Sequence, residues 1–317
     1  MTREDFNKIK KEFLITQLNG KKYNIEKGRL LPKDYNEKNF CYKDEIKILK
    51  FDSVDENKEI DITSLEYDSD DAIKIAICRA YEDSQPRLIV NHNKIVNNLY
   101  DWNDKNGSPL GYLKKQIRKF YEQDKKFDEW HKTTCTHFLD KYNKLLSDKQ
   151  LESQDIGKAQ KIVNMSLKYL FCMTGDKQED FFRDCHIALD HYTLENWFCR
   201  VVKGKGWPSK EQIGAWSKIK DYGEEKLIGS YMWIQDTIRN EYNKNKIYNI
   251  DNKEMTPLQA EFIIWEEEKL REVLMAVASL SLEYEVNTRK NDDLKNIITN
   301  VSKNIDILKK RYEIDVN

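Results

Sequence analysis

The sequence lacks the features that mark membrane, disulfide-rich and metal-cluster proteins. No apolar run approaches the ~18–20 residues that a transmembrane helix requires. The first residues, MTREDFNKIKKEF, lack the apolar core of a signal peptide. The 6 cysteines form no CxxC pair, so their spacing fits neither a zinc ribbon nor an iron–sulfur cluster. We therefore expect a cytoplasmic protein with free thiols.

Proline and glycine are scarce, and neither sign of charge is in excess. The chain has 5 Pro and 11 Gly in 317 residues, which favours long elements and few tight turns. Its net charge of −1 gives the whole chain no attraction for nucleic acid, so any such binding must come from local basic patches. The 7 Trp, 17 Tyr and 12 Phe supply enough apolar material to exclude disorder of the whole chain.

The apolar pattern divides the chain into three regions and predicts a mostly α-helical fold. Residues 1–106 are predicted to be a mixed α/β N-terminal region, and residues 107–250 a helical core. Residues 251–317 have the spacing of a C-terminal helical hairpin with one apolar face. That face would pack on the body of the protein or on a partner, including a second copy of the chain.

Within the N-terminal region, helices are predicted at 3–18 and 70–82. Alternating apolar and charged residues at 46–51 and 60–62 favour a β-hairpin, and 87–90 is predicted as one more strand. In the core, helical spacing predicts a series of helices at 110–123, 128–146, 157–173, 190–202, 209–221 and 224–242.

Two segments of the predicted core carry the most chemical information. Lys161 and Lys168 are seven residues apart on one helix and therefore share a face. Asp190 follows an apolar Ile-Ala-Leu segment and precedes a new helix, where a carboxylate accepts from first-turn N–H groups and meets the positive end of the helix dipole. A lysine on one helix and a capping aspartate on the next can thus converge.

These segments resemble the helix-hairpin-helix superfamily of DNA glycosylases, and most closely its archaeal 8-oxoguanine glycosylase type. That type has a lysine-bearing helix of the form QK(T)(I/V)VFAxKM, and Gln160-Lys161-Ile-Val-Asn-Met-Ser-Leu-Lys168 follows it with both lysines in register. The family's catalytic aspartate lies in a segment like PVDTxV, where this chain has Leu189-Asp190-His-Tyr-Thr-Leu194. The clear resemblance covers 156–199 and departs from the family at the hairpin, which has a lone Gly157 in place of LPGxG, and at Ala188, which replaces a proline.

The resemblance implies excision of a modified or damaged base from DNA, without a cofactor. Lys161 would be the Schiff-base nucleophile and Asp190 the essential carboxylate, while the target base is extruded from the duplex into a pocket. DNA contacts would come from Gly157, Lys158, Lys168, Lys203, Lys205 and Lys210. The walls of the base pocket would come from Trp197, Trp207 and Trp216.

Each of these residues also has a simpler explanation. The two lysines can form a solvated helix face, Asp190 can be a helix cap and nothing more, and each tryptophan can belong to the core. Cys185, His186, His191 and Cys199 are close in sequence but have neither the CxxC nor the HxxxH spacing of a metal site. Two other functions stay open: a non-catalytic protein that binds nucleic acid or a partner, for instance in bacterial defence against phage, and a helical scaffold that assembles through its C-terminal hairpin.

Overall fold

A computed structural model of the chain describes residues 1–18, 21–24, 29–32, 48–52, 59–61, 66–84, 95–102, 107–122, 126–174, 176–202, 210–223, 227–245 and 248–287. Most of these residues are helical, which confirms the predicted mostly α-helical class. Across these ranges, no helix has both the length and the apolar character needed to cross a membrane. The chain separates into two compact units, Met1–Ala260 and Glu261–Asn317.

The helices account for most of the described chain. In chain order they are α1 (Arg3–Leu18), α2 (Asp70–Ser84), α3 (Val96–Leu99), α4 (Pro109–Glu122), α5 (Phe127–Ser147), α6 (Ile156–Cys172), α7 (His191–Trp197), α8 (Lys210–Ile213), α9 (Tyr231–Asn245) and α10 (Pro257–Asn287). Short 3₁₀ helices occur at Asp176–Phe182 and Trp216–Lys218, and a π-helical turn at Phe198–Val202 continues α7.

Short strands in the N-terminal region form a four-stranded sheet in the order β2-β1-β3-β4. The strands are β1 (Lys21–Asn24), β2 (Arg29–Pro32), β3 (Ile48–Asp52) and β4 (Glu59–Asp61). β1 pairs antiparallel with β2 and parallel with β3. The antiparallel pairing of β3 with β4 confirms the predicted hairpin. The strand predicted at 87–90 lies outside the described residues. A second, two-stranded sheet pairs β5 (Asn249–Ile250) with β6 (Lys253–Glu254).

Helix α6 lies at the centre of the first unit, where α1, α2 and α5 pack against it. Every residue of α6 except Lys158 is buried, although the helix carries several polar side chains. Because buried polar groups are nearly always hydrogen-bonded, each of these side chains requires a partner from a neighbouring element. The helices α1 and α2, from the predicted N-terminal region, thus enclose a helix of the predicted core.

Two predicted core helices are shorter than their sequence pattern indicates. The prediction of one helix over 209–221 is wrong, because α8 ends at Ile213, and Gly214 follows with a φ of +74°, which glycine adopts more readily than other residues. The helix predicted at 224–242 begins at Tyr231, because the Ser230 hydroxyl accepts a hydrogen bond from the Trp233 N–H and so caps α9.

The described residues of the second unit, 261–287, all belong to α10. Within it, Arg271 Nη1 lies 3.3 Å from a Glu268 carboxylate oxygen, and Lys269 Nζ lies 3.6 Å from the centroid of the Trp265 ring. The second helix of the predicted C-terminal hairpin lies outside the described residues, so its role in self-association stays a prediction.

Candidate active site

Lys161 of α6 and Asp190 at the start of α7 meet in the interior of the first unit. Lys161 Nζ lies 3.4 Å from Asp190 Oδ2, and their side chains are only 11% and 9% exposed. Lys168, two turns further along α6, is fully buried, with its Nζ 4.5 Å from the centroid of the Phe13 ring. The explanation of these lysines as a solvated helix face is therefore wrong.

The carboxylate of Asp190 caps a helix and faces a lysine at the same time. Oδ1 accepts the Thr193 N–H at 3.0 Å, while the Asp190 N–H donates to Thr193 Oγ1 at 2.8 Å. This reciprocal capping box fixes the carboxylate relative to α7. Oδ2 is left to face Lys161. Capping and ion pairing are therefore not alternatives for this residue, since each uses a different oxygen.

The surroundings of Asp190 keep it ionised. Burial by itself would raise the pKa of this carboxyl, but the positive charge of Lys161, the Thr193 N–H and the charge of Lys168 together hold the pKa of Asp190 below its usual value. At neutral pH, α6 and α7 are consequently joined by a buried ion pair. Breaking such a pair by removing one partner costs about 3–5 kcal/mol, because the other charge stays buried.

Trp216 also contacts the lysine. Lys161 Nζ lies 4.8 Å from the centroid of its ring, within the range of a cation–π contact, and Trp216 is itself buried. Gly157 makes this approach possible, because a Cβ at that position would lie 2.0 Å from the Trp216 carbonyl oxygen. The Gly157 N–H donates to the Ile219 carbonyl at 2.9 Å. It is therefore engaged within the protein, and the DNA contact predicted for Gly157 finds no support in this arrangement.

The other predicted site residues lie in different surroundings. Trp197 is fully buried and its Nε1–H donates to Thr237 Oγ1 at 3.0 Å, so it packs in the core, and this arrangement gives no support to its predicted role in a base pocket. The burial of Lys168 likewise gives no support to its predicted DNA contact. Lys158 is half-buried and donates to Gln154 Oε1. The remaining predicted residues lie outside what the structure describes: Lys203, Lys205, Trp207 and the side chain of Lys210.

Two glutamines hold the extended segment that leads to Asp190, namely Gln160, which the sequence offered only as part of the lysine motif, and Gln235, which it did not single out. Gln160 donates to the Leu189 carbonyl at 3.1 Å and accepts the Leu189 N–H at 3.2 Å. Gln235 of α9 does the same for Ile187, at 2.8 and 3.3 Å. Each side-chain amide thus satisfies one backbone N–H and one backbone C=O of this buried segment, as a neighbouring strand would in a sheet. The only signal for Gln235 in the sequence is that a polar residue interrupts an otherwise apolar segment of a predicted helix.

A chain of polar groups, buried except at Asp128, connects Gln160 to Asp128 of α5. Asp128 Oδ1 lies 2.7 Å from His186 Nε2, and His186 Nδ1 lies 2.8 Å from Tyr231 Oη. Asn164 Nδ2 donates to Tyr231 Oη at 2.8 Å and to Gln160 Oε1 at 3.0 Å. In the sequence, His186 stood out only as a possible metal ligand, whereas both of its ring nitrogens have protein partners here.

In this series of hydrogen-bonded groups, Asp128 at the outer end is charged and His186 in the middle is neutral. Burial by itself would raise the pKa of Asp128, but hydrogen bonds from Arg239 and His186 hold it well below its usual range. Burial lowers the pKa of His186 from 6.5 to about 4, so its imidazole is neutral at pH 7. His131, whose ring centroid lies 4.6 Å from that of His186, has its pKa lowered in the same way by burial.

The described residues contain neither a metal-binding cluster nor a disulfide. Within them, no three His, Cys, Asp or Glu side chains come close enough together to hold a metal ion. No disulfide joins the cysteines in that part of the chain.

Neither a known protein family nor a curated protein nor a solved structure matches this chain. Inference about its function therefore depends on the geometry of the Lys161–Asp190 pair and its surroundings.

The buried neutral histidines predict a loss of stability in mild acid. The unfolded chain takes up a proton near pH 6.5, whereas folded His186 does so only near pH 4, so stability is full above about pH 6.5 and declines as the pH falls toward 4. A difference of that size corresponds to roughly 3 kcal/mol for His186, and His131 adds to it in the same direction. Urea denaturation at a series of pH values measures the decline.

The control for this experiment is the exposed His137. His137→Gln should reproduce the wild-type profile, whereas His186→Gln should flatten part of it because the titrating group is gone. A free energy of unfolding that stays constant from pH 6.5 to 4.5 in the wild type would contradict the neutral, buried state of these histidines.

Proposed function

We propose that this protein is a DNA glycosylase of the helix-hairpin-helix type that excises a modified or damaged base through Lys161 and Asp190. The observation that carries the proposal is the 3.4 Å approach of Lys161 Nζ to an Asp190 oxygen inside the protein. These two residues are 29 positions apart and belong to different elements. A lysine and an aspartate joined in a partly dry site are the two groups that this chemistry requires.

The connection between α5 and α6 supports a helical hairpin before the lysine. The two helices pack against each other, and residues 148–155 join them. Asn143 fixes this connection to α5, because its Oδ1 accepts the Gln154 N–H at 2.7 Å and its Nδ2 donates to the Gln154 carbonyl at 3.0 Å. Gln150, with a φ of +56°, gives the connection its turn.

In the proposed reaction, Asp190 first takes a proton from the Lys161 ammonium through Oδ2. The resulting amine attacks the anomeric carbon of the extruded nucleotide, a new C–N bond forms, and the electron pair of the glycosidic bond leaves with the base. Asp190 returns the proton to the departing base, and its restored negative charge stabilises the positive charge on the sugar. Proton loss and ring opening then give a Schiff base between Lys161 and the sugar, from which strand scission can follow.

Trp216 is the described aromatic that suits the wall of the base pocket. Its ring already contacts the Lys161 ammonium, so a base entering the site would meet the ring face and the amine together. Stacking of this kind selects a planar heterocycle without specifying which one. DNA is accordingly the proposed partner, and the reaction uses only groups of the chain.

The direct test is single-turnover excision from duplex and single-stranded DNA carrying 8-oxoguanine, uracil, hypoxanthine or an alkylated purine. We expect release of at least one of these bases, with 8-oxoguanine as the first candidate because of the sequence resemblance. Binding of DNA without release of any base would overturn the enzymatic proposal and favour the non-catalytic alternative.

Binding of DNA is expected to depend on local lysines around the site. Lys158 lies in the first turn of α6, three residues before Lys161. The charge of the exposed Lys218 acts on it, since burial and then Lys218 lower the pKa of Lys158. Changing Lys158 and Lys218 together to glutamine should reduce the slope of log affinity against log salt by about 0.9 for each lost phosphate contact on duplex DNA. Fluorescence anisotropy over a salt series measures this slope.

The matched control removes the same charge from exposed positions of α1, by changing Lys8 and Lys11 to glutamine. That variant should keep the wild-type slope. An unchanged slope in the Lys158/Lys218 variant would mean that these two lysines do not contact DNA phosphates. The other predicted contacts would then have to do so: Lys203, Lys205 and Lys210.

A further inference from the structure

The proposed chemistry leaves a group of buried and half-buried polar residues without a role: Asp128, Asn164, His186, Tyr231 and Arg239. All of them connect to Gln160, and Gln160 holds Leu189, the residue before Asp190. The backbone torsions of Leu189 and Asp190 set where the Asp190 carboxylate lies relative to Lys161. The orientation of the Gln160 amide is therefore a determinant of the ion pair.

A glutamine amide can satisfy Leu189 in only one of its two orientations. Its oxygen must face the Leu189 N–H and its NH₂ group must face the Leu189 carbonyl. A flip of 180° about the last side-chain torsion would place donor against donor and acceptor against acceptor, so both hydrogen bonds would be lost inside the protein.

The direction of the hydrogen bonds in the buried chain favours the same orientation, as does the Gly157 carbonyl, which accepts from Gln160 Nε2 at 2.7 Å. Asp128 is a carboxylate and can only accept, so His186 donates from Nε2 and its Nδ1 must accept. The Tyr231 hydroxyl then donates to Nδ1, and its oxygen accepts from Asn164 Nδ2. Asn164 Nδ2 also donates to Gln160 Oε1, which places the oxygen of that amide on the required side.

The Asp128 carboxylate, from which this series of hydrogen bonds starts, is itself held in place. Arg239 of α9 binds both carboxylate oxygens of Asp128, at 2.6 and 2.9 Å, and also donates to the Asp184 carbonyl at 3.2 Å. The same guanidinium thus connects α5, α9 and the segment that runs toward Asp190.

We propose that Asp128, His186, Tyr231 and Asn164 form a positioning relay, which acts together with the Gly157 carbonyl to orient the Gln160 amide and thereby holds the Asp190 carboxylate against Lys161. The proposal rests on the function proposed above for Lys161 and Asp190. The relay residues are positioning residues rather than catalytic ones, because the contacts that define the relay are with one another and with Gln160, not with Lys161 or the carboxylate of Asp190.

The test is Tyr231→Phe, which removes one hydroxyl from the middle of the relay and keeps the ring that stacks on His131. Without that hydroxyl, Asn164 Nδ2 keeps only the Ile187 carbonyl and Gln160 Oε1 as acceptors, and the connection from Asp128 to Gln160 is broken. The single-turnover excision rate should fall about ten- to a hundredfold, as expected when a catalytic group is displaced on the order of 1 Å. The Kd for DNA should stay unchanged, because no DNA-contacting group has moved.

The matched control is Tyr142→Phe. Tyr142 is also buried, and its hydroxyl lies 3.3 Å from that of Tyr81, so the substitution removes a comparable hydrogen bond from another part of the same unit. A purely structural effect lowers the melting temperature in both variants but leaves the excision rate of the folded protein intact. Only the relay predicts a rate loss confined to Tyr231→Phe.

A second readout does not depend on activity. The pKa of Asp190 can be measured from its carboxyl carbon by NMR, assigned by comparison with Asp190→Asn. A carboxylate that moves away from Lys161 loses that charge as a neighbour, so the pKa of Asp190 should rise in Tyr231→Phe and stay at the wild-type value in Tyr142→Phe.

The two proposals can fail separately. A wild type that excises no base overturns the glycosylase function, while the Asp190 titration still tests the relay. An Asp190 pKa and an excision rate that are identical in Tyr231→Phe and Tyr142→Phe overturn the relay, while excision itself stands. If Tyr231→Phe does not fold, Asp128→Asn, at the partly exposed end of the relay, takes its place in both measurements, and the same results support or overturn the relay.

Discussion

Asp190→Asn is expected to give a folded, DNA-binding protein whose excision rate is lower by about a hundredfold or more. The asparagine oxygen can still accept the Thr193 N–H, so the cap of α7 survives. Its NH₂ group replaces the oxygen that faces Lys161, which removes both the proton acceptor and the negative charge opposite the developing cation on the sugar. Single-turnover excision at saturating enzyme measures the effect.

The buried ion pair adds a stability cost to this substitution. Lys161 would be left with a buried charge and no counterion, which costs about 3–5 kcal/mol unless the lysine deprotonates. Rates must therefore be compared at a temperature where both proteins are folded.

Glu179→Gln is the matched control for Asp190→Asn. Glu179 is also a buried carboxylate paired with a lysine, since Lys10 Nζ lies 2.7 Å from its Oε1, but it belongs to a different cluster. This variant should lose stability and keep its excision rate. If Asp190→Asn excises as fast as the wild type, Asp190 is a helix cap alone and the lysine–aspartate mechanism is wrong.

Lys161→Gln is expected to abolish covalent trapping altogether. Borohydride reduces the Schiff base between an amine and the opened sugar, so DNA with an abasic site should become linked to the wild type and not to the variant. Mass spectrometry of the trapped peptide should place the sugar on Lys161. The substitution also leaves Asp190 without its main neutralising charge, so burial should raise the pKa of that carboxyl.

Lys10→Gln is the corresponding control, because it removes a buried lysine from an ion pair outside the candidate site. We expect it to be trapped as efficiently as the wild type. Equal trapping of Lys161→Gln and the wild type would mean that another amine is the nucleophile, whatever the role of Asp190.

Local patterns determined several features of this protein. The apolar spacing of 157–173 was sufficient to predict α6, because a helix repeats every 3.6 residues wherever it lies. The cap at Asp190 was equally predictable, since an aspartate before a helix acts on N–H groups only two or three residues away. The antiparallel pairing of β3 and β4 follows from the alternation of apolar and charged residues in two segments that are close in sequence.

Tertiary packing decided what those features do. The same sequence pattern suits a lysine in solvent and the buried Lys161, and only the packing of α1, α2 and α5 on α6 distinguishes them. Trp197 and Trp216 are equally plausible pocket walls in the sequence, yet the first fills the core and the second covers the lysine.

The relay shows most clearly what could not be predicted from the sequence. His186 is 58 residues from Asp128 and 45 from Tyr231, and none of the three carries a local signal of its partners. Periodicity reports which face of one element is apolar, because that depends on neighbours within a few residues. Contacts between distant residues depend instead on how whole elements pack and on which buried polar groups must then be satisfied, and this is settled only when the chain is folded.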